Sequence, residues 1–227
     1  MINILFCGYR DWSFSIIDEI KRHPKVNCID VIKSKEEYDK KILIINENID
    51  FILFLGWSWI IPKEVNEKYL CLGIHPSDLP MYRGGSPLQH QIIDGVINSK
   101  ITLMTLSNKK LDAGEIWMKE ELNLNGDNMA SVFENIINSS IKLLNNFIDE
   151  FPLIKPISQK VEEGSYYKRR RPEQSKIKME DFQNKSIEEL YNFIRALTDP
   201  YPNAYIEDEY GNKLLFKEVK YIPYSDL

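Results

Sequence analysis

The 227-residue sequence is short of several things, and each shortage removes a class of explanation. Its three cysteines, Cys7, Cys28 and Cys71, are odd in number and unevenly spaced, so no disulfide framework is indicated. No pair of them has zinc-ligand spacing, and no metal is expected; they read as buried, reduced thiols of a cytoplasmic protein. A basic excess is missing, because 34 acidic residues stand against 29 basic ones and the formal net charge is −5. Nucleic acid is therefore not an expected partner. The longest apolar run, residues 51–62, is interrupted by Gly56 and Ser58 and falls short of a bilayer span. The opening run meets a polar turn at Gly8 without the layout of a secretion signal, so no membrane or export role is expected. Gly8-Tyr9-Arg10 follows the first apolar run in place of Gly-x-Gly-x-x-Gly, which argues against a dinucleotide site. Repeats and low-complexity tracts are absent.

What is present is an alternation of short apolar runs with helical stripes. Residues 2–7, 26–32 and 50–55 read as buried strands. Between them, Asp11 is placed to cap a helix carrying Phe14, Ile17 and Ile20, and His23 falls at its solvated end. Ser34-Lys35-Glu36-Glu37 has the capping-box pattern and predicts a helix to about Asn48. Further helices are expected over 62–68, 86–97 and 127–150, and strands over 70–74, 100–106 and 115–124. The fold class expected is α/β: a mainly parallel, Rossmann-like twisted sheet with helices on both faces, plus a small α+β C-terminal domain. Residues 1–152 form the larger unit and 166–227 the smaller, joined by a polar, Pro-punctuated linker over 153–165. In the tail, Ser186-Ile187-Glu188-Glu189 is a second capping box, and 205–216 reads as a hairpin.

The most informative stretch is Gly73-Ile74-His75-Pro76-Ser77-Asp78-Leu79-Pro80-Met81-Tyr82-Arg83-Gly84-Gly85-Ser86-Pro87. An apolar strand delivers His75, and prolines and glycines then forbid a regular element until Ser86. Such a loop holds an imidazole at the rim of a sheet, where open α/β folds bind ligands. Downstream, Leu111-Asp112-Ala113-Gly114 supplies a carboxylate at a second strand-edge turn. His90 reads as a packing or solvated histidine, not a second base.

These two motifs, together with Arg169-Arg170-Arg171-Pro172-Glu173-Gln174-Ser175 and Tyr201-Pro202-Asn203-Ala204-Tyr205 in the tail, resemble the formyltransferase family that uses 10-formyltetrahydrofolate. The pattern is nearer to the sugar N-formyltransferases than to their methionyl-tRNA relatives. One position departs: the family motif is Asn-x-His, and here Gly73 stands at the Asn. The resemblance implies that His75 takes a proton from an attacking amine and that Asp112 assists. It implies a folate loop at Gly56, Trp57, Ser58, Trp59 and Ile60, with Leu111 beside it. From the residues alone, the two tryptophans fit a core cap as well as a slot for a flat ring.

The acceptor implied is a nucleotide-linked amino sugar for surface glycan synthesis. The short tail and the acidic balance point away from tRNA. Substrate contacts are expected from Arg10, Ser77, Tyr82, Arg83 and Gly84, with Arg10 and Arg83 as the cations for a diphosphate. Lys168-Arg169-Arg170-Arg171 reads as a solvated run, and the exposed aromatics of the tail suit a homodimer contact. Two other readings stay open: a folate- or nucleotide-binding relative that lost the chemistry with the Asn, and a hydrolase of formyltetrahydrofolate.

Overall fold

The structure, a computed structural model, describes residues 1–45, 48–107 and 110–226. Strand β1 (Ile2–Gly8) is apolar apart from Asn3 and lies between β2 (Val26–Ile32) and β3 (Phe51–Leu55), parallel to both. β3 pairs in parallel with β4 (Cys71–His75). Two antiparallel strands, β6 (Asn98–Thr105) and β7 (Ile116–Asn123), complete a six-stranded sheet in the order β2-β1-β3-β4-β6-β7. The two-residue β5 (Arg83–Gly84) stands outside it.

Alternation along β1 explains why helices cover both faces. Ile4 and Phe6 point into one cluster with Ile16 and Ile17 of α1 (Asp11–Ile20) and Leu144 and Phe147 of α5 (Met129–Glu150). Leu5 and Cys7 point the other way, against Tyr38 of α2 (Lys35–Lys41) and Val65 of α3 (Lys63–Lys68). Burying a side chain such as Phe147 is worth about 1.5–3 kcal/mol, and truncating it to Ala would cost about 3–5 kcal/mol. Burial pushes the Cys7 thiol well up and Cys71 up to about 12, so both stay protonated and inert.

The small second region brings β8 (Tyr166–Tyr167) parallel to β5, two short helices, α6 (Asp181–Asn184) and α7 (Ile187–Arg195), and the hairpin β9 (Ala204–Glu207) with β10 (Lys213–Phe216). It shares its core with the sheet: Ile177, Ile194, Leu197 and Ala204 are buried in the same cluster as Leu88 and Ile92 of α4 (Pro87–Ile93). Buried Arg195 donates to the carbonyls of Leu124 and Gly126, tying α7 to the end of β7. Among the described residues, no helix is long and apolar enough to cross a membrane.

Several local expectations need correction. Asp11 is the first helical residue, and the cap position is Arg10, which makes no side-chain cap. Ser34 does accept from the Glu37 N–H, but Glu37 returns its bond to Lys33, one residue early, and α2 stops at Lys41. α4 ends at Ile93 because Gly95 adopts a positive φ of 79° and turns the chain out of the helix. His23 is not solvated: it is mostly buried, 3.5 Å from Asp149.

Candidate active site

β4 delivers His75 at its last residue, where the ring is 6% exposed. The loop that follows is pinned from three sides. Fully buried Ser77 donates its hydroxyl to the Met81 carbonyl, Thr102 donates to the Ser77 carbonyl, and Gln91 donates to the Pro76 carbonyl. The loop thereby sets Tyr82 at φ 56°, a left-handed conformation that a bulky side chain adopts only at a cost of about 1–3 kcal/mol. That strain aims the Tyr82 carbonyl at the imidazole: His75 Nε2–H donates to it at 2.9 Å.

This bond fixes the tautomer. A carbonyl can only accept, so Nε2 carries the proton and Nδ1 of the neutral ring presents its lone pair. Asp112 Oδ2 lies 3.7 Å from Nδ1, beyond hydrogen-bond length but close enough to stabilise an imidazolium. The same oxygen accepts from the Gly84 N–H at 2.9 Å. Asp112 is itself left-handed, at φ 51°. Its turn is closed by Gly114, where a Cβ would sit 1.7 Å from the Thr105 carbonyl oxygen, so no other residue fits without moving backbone.

Residues 157–170 bind both loops. Ile157 exchanges two backbone hydrogen bonds with Ile116, and the Gln159 amide donates to the carbonyls of Asp112 at 3.2 Å and Gly114 at 2.6 Å. Ser165 accepts from the Tyr82 N–H, β8 pairs with β5, and the Arg170 N–H donates to Ser86 Oγ. The Tyr82 and Tyr167 rings stack 5.3 Å apart, and both hydroxyls donate to Asp94. Burial, then the Asp94 bond, pushes the Tyr82 phenol up to about 12, so it remains a donor.

His75 and Asp112 open on a cleft of about 690 Å³, a size that suits a small organic ligand. Its opposite wall is aromatic. Trp57 packs on Tyr38 and Phe54 with its indole N–H buried and without a partner among the described residues, whereas Trp59 and Ile60 face the opening. Tyr9 braces this wall through a ring contact with Trp59 and a hydroxyl bond to Ser58. Behind His75, a Cβ at Gly73 would lie 2.7 Å from Leu106 Cδ2, so the Leu106 side chain fills the room beside residue 73.

Of the residues singled out from sequence, His75, Asp112, Trp57, Ser58, Trp59, Ile60, Leu111 and Gly84 line the cleft. Gly56 lies behind the wall, at φ 63° against Trp12 and Arg10. The structure does not bring Ser77 or Arg83 to the cleft. Ser77 holds the loop, and Arg83, 5% exposed, donates to the carbonyls of Pro80 and Val161. Tyr82 acts through its backbone and Asp94, and Arg10 stands outside the lining. His90 is a packing histidine, tilted on Tyr167 at 4.4 Å. The basic run is not uniformly solvated: Arg169 lines the cleft, and Arg170 is half-buried over Phe193. Sequence reasoning missed Gln159; Tyr166, which suits stacking or packing by sequence, and Arg169, which reads there as part of a solvated run, both line the cleft. Gln159 carries no chemical signal of its own, but Arg169 stood in a motif already picked out.

Comparison with known proteins adds context. The family model described as Formyl transferase matches residues 15–140. Methionyl-tRNA formyltransferase of Rickettsia canadensis is 34% identical over 181 residues, 78% of this chain and 57% of that protein. The chain thus spans little more than half the length of the curated relatives it matches. Among solved structures, a methionyl-tRNA formyltransferase from Clostridium thermocellum superposes with a TM-score of 0.76 at 33% identity, covering 92% of this chain and 89% of that one. A sugar N-formyltransferase from Shewanella sp. superposes with a TM-score of 0.78 at 18% identity, covering 98% and 100%, a likeness of fold alone.

Proposed function

The chain belongs to the formyl transferase family, and from that premise we propose that it moves a formyl group from 10-formyltetrahydrofolate to the amine of a nucleotide-linked amino sugar. The observation that carries the reading is His75, with Nε2 on the Tyr82 carbonyl and Nδ1 3.7 Å from Asp112, on a cleft that the tryptophan loop also lines. The acceptor nitrogen attacks the formyl carbon, and the new N–C bond forms as the tetrahedral oxyanion develops. His75 Nδ1 takes the proton that the amine loses, and the Asp112 carboxylate stabilises the imidazolium. The C–N10 bond then breaks, and the proton passes from His75 to the departing N10. The pterin of the donor would lie against residues 57–60, with Leu111 at its edge. In this reading residues 1–152 carry the chemistry, 166–227 form an accessory unit joined through 153–165, and the protein works in the cytoplasm, as a homodimer if the tail pairs.

Gly73 leaves the family's Asn position without a side chain, and Leu106 fills that space. Loss of one oxyanion donor costs on the order of 10²–10³ in rate, so turnover slower than that of Asn-bearing relatives is expected. A nucleotide sugar is favoured over a nucleic acid by the acidic balance of −5. The 34% identity to methionyl-tRNA formyltransferases favours initiator tRNA as the second reading.

Incubation with 10-formyltetrahydrofolate and a panel of dTDP- and UDP-linked amino sugars, beside aminoacylated initiator tRNA, tests the proposal. Mass spectrometry should find one added formyl group on a sugar and none with His75→Ala. Formate release without any amine would make the protein a hydrolase, and folate binding without turnover on any acceptor would make it a binding protein.

A further inference from the structure

Two guanidinium groups beside the cleft have no counter-charge. Arg22, Arg83, Arg170 and Arg195 each donate to a carbonyl or carboxylate oxygen. The side chains of Arg10 and Arg169 make no hydrogen bond and no ion pair among the described residues, although the chain holds 34 carboxylate side chains that could have supplied one.

Both are set in place from behind. Arg10 leaves the carboxyl end of β1, presses its stem on Gly56 and lays its guanidinium 4.5 Å over the ring of Tyr9, which in turn touches Trp59 on the cleft wall. A stacked guanidinium keeps its N–H edges free in the plane, the geometry that receives an oxyanion two bonds at a time. Arg169 lines the cleft from the other side, its main chain so near Gly85 that a Cβ there would meet Arg169 Cα at 2.3 Å. Burial pushes the Tyr201 phenol up, and a hydrogen bond with Gln89, then Arg10 and Arg169, pull it part of the way back. Tyr201 stacks on Phe133 with ring centroids 6.2 Å apart. A guanidinium left without a counter-charge beside a cleft attracts a bound polyanion.

We propose that Arg10 and Arg169 form the subsite for the diphosphate of the acceptor, a nucleoside diphosphate ester; this rests on the nucleotide-linked reading above and assigns its anion site. Tyr166, exposed on the same wall as Arg169, offers a ring face to the base. Arg83, the other cation that the sequence offers for this task, is committed to the carbonyls of Pro80 and Val161.

The test measures binding, not turnover. Titration calorimetry with dTDP, UDP and inorganic pyrophosphate is compared for the wild type, Arg10→Gln, Arg169→Gln and the double variant, with tetrahydrofolate as the control ligand. Each single substitution should weaken nucleoside diphosphate binding about 10- to 100-fold, and the double variant more, with tetrahydrofolate affinity unchanged. Arg10→Lys should recover part of the loss, because it restores the charge without the paired N–H geometry. Unchanged dTDP and UDP affinity in both Gln variants overturns the subsite. So does a wild type that saturates with none of the three diphosphates, or one that binds only tRNA. A protein that binds tetrahydrofolate and transfers formyl to an acceptor without phosphate would keep the proposed chemistry and lose this subsite. Diphosphate held by both arginines with no formyl transfer would do the reverse.

Discussion

On one side of the cleft His75 is 6% exposed, and its ring, the Asp112 carboxylate and the turns behind them are tied into one hydrogen-bonded lattice. On the other side Trp59 is 37% exposed and Ile60 87%, and the bond between Tyr9 and Ser58 and ring contacts hold the surface. The histidine wall tolerates two left-handed residues, Tyr82 and Asp112, to bring a carbonyl and a carboxylate onto one imidazole. The tryptophan wall needs no such strain. Proton transfer fails when donor and acceptor miss by about an ångström, whereas a flat ring can be gripped by surfaces that adjust. The difference between the walls is therefore the difference between aligning a reaction and holding a ligand.

Asp112→Asn strikes that contrast hardest. The new amide oxygen can still accept from the Gly84 N–H, and it then faces His75 Nδ1 without the negative charge that stabilises the imidazolium formed when the ring takes the proton. We expect kcat to fall on the order of 10³-fold with KM for the folate little changed. Trp59→Ala should do the opposite, raising that KM up to about tenfold while kcat stays within a few-fold. Steady-state kinetics on both variants decides the matter, and a Trp59→Ala enzyme with crippled kcat would erase the division of labour.

Gly73→Asn probes the histidine wall from behind. Its Cβ would lie 2.7 Å from Leu106 Cδ2, so the single variant should lose about 1–3 kcal/mol of stability to overpacking and gain no rate. Gly73→Asn with Leu106→Ala should recover the melting temperature and raise kcat by up to about 10²-fold, because the amide can then reach the oxyanion. A single variant that melts like the wild type would mean that Leu106 does not occupy this space.

Gln159 carries a smaller effect through position alone. Its amide holds the Asp112 and Gly114 carbonyls, so Gln159→Ala should lower kcat about tenfold with both KM values unchanged. Gln159→Glu should be worse than Ala, since a carboxylate repels two carbonyls. If Ala and Glu behave alike, Gln159 fills space and does not place Asp112.

Much of this architecture is legible in the chain. The runs of β1 and β3 announce buried strands because both faces are apolar, and the stripe of α5 is plain at helical spacing. Ser186 and Glu189 form the reciprocal cap that their spacing suggests. His75 and Asp112 stand out because glycine and proline isolate them on turns after strands. The reversal of β6 and β7 leaves no mark, since an apolar run reads the same in either direction. Residues 153–165 look polar and punctuated because they bond through main chain and one amide, which impose no periodicity. Arg83 and Arg169 cannot be told apart by composition: the Val161 carbonyl, distant in sequence, and the nearby Pro80 carbonyl take the Arg83 guanidinium, whereas Arg169 has no such partner among the described residues.

The smallest expected effect is a pH dependence of the braced wall. Burial lowers the His90 pKa below the ordinary 6.5; the Lys168 carbonyl raises it in part, Arg170 lowers it and Asp94 raises it. A depressed folded-state value means that the unfolded chain protonates first as pH falls through about 6.5, so stability present above that pH is lost below it. His90 packs on Tyr167, which stacks on Tyr82, so the charge arrives beneath the strand that braces the His75 loop. The carboxylates of Asp30 and Glu37, lowered chiefly by the Lys41 bond and the Lys33 N–H respectively, contribute stability above the ordinary carboxylate pKa and lose it only in stronger acid. The two windows are therefore separable. Melting temperatures of wild type and His90→Phe, taken from pH 7.5 to about 5, should diverge in slope, with the wild type falling by a few degrees more. Equal slopes would assign the acid sensitivity to carboxylates elsewhere and leave the two walls indistinguishable in their response to protons.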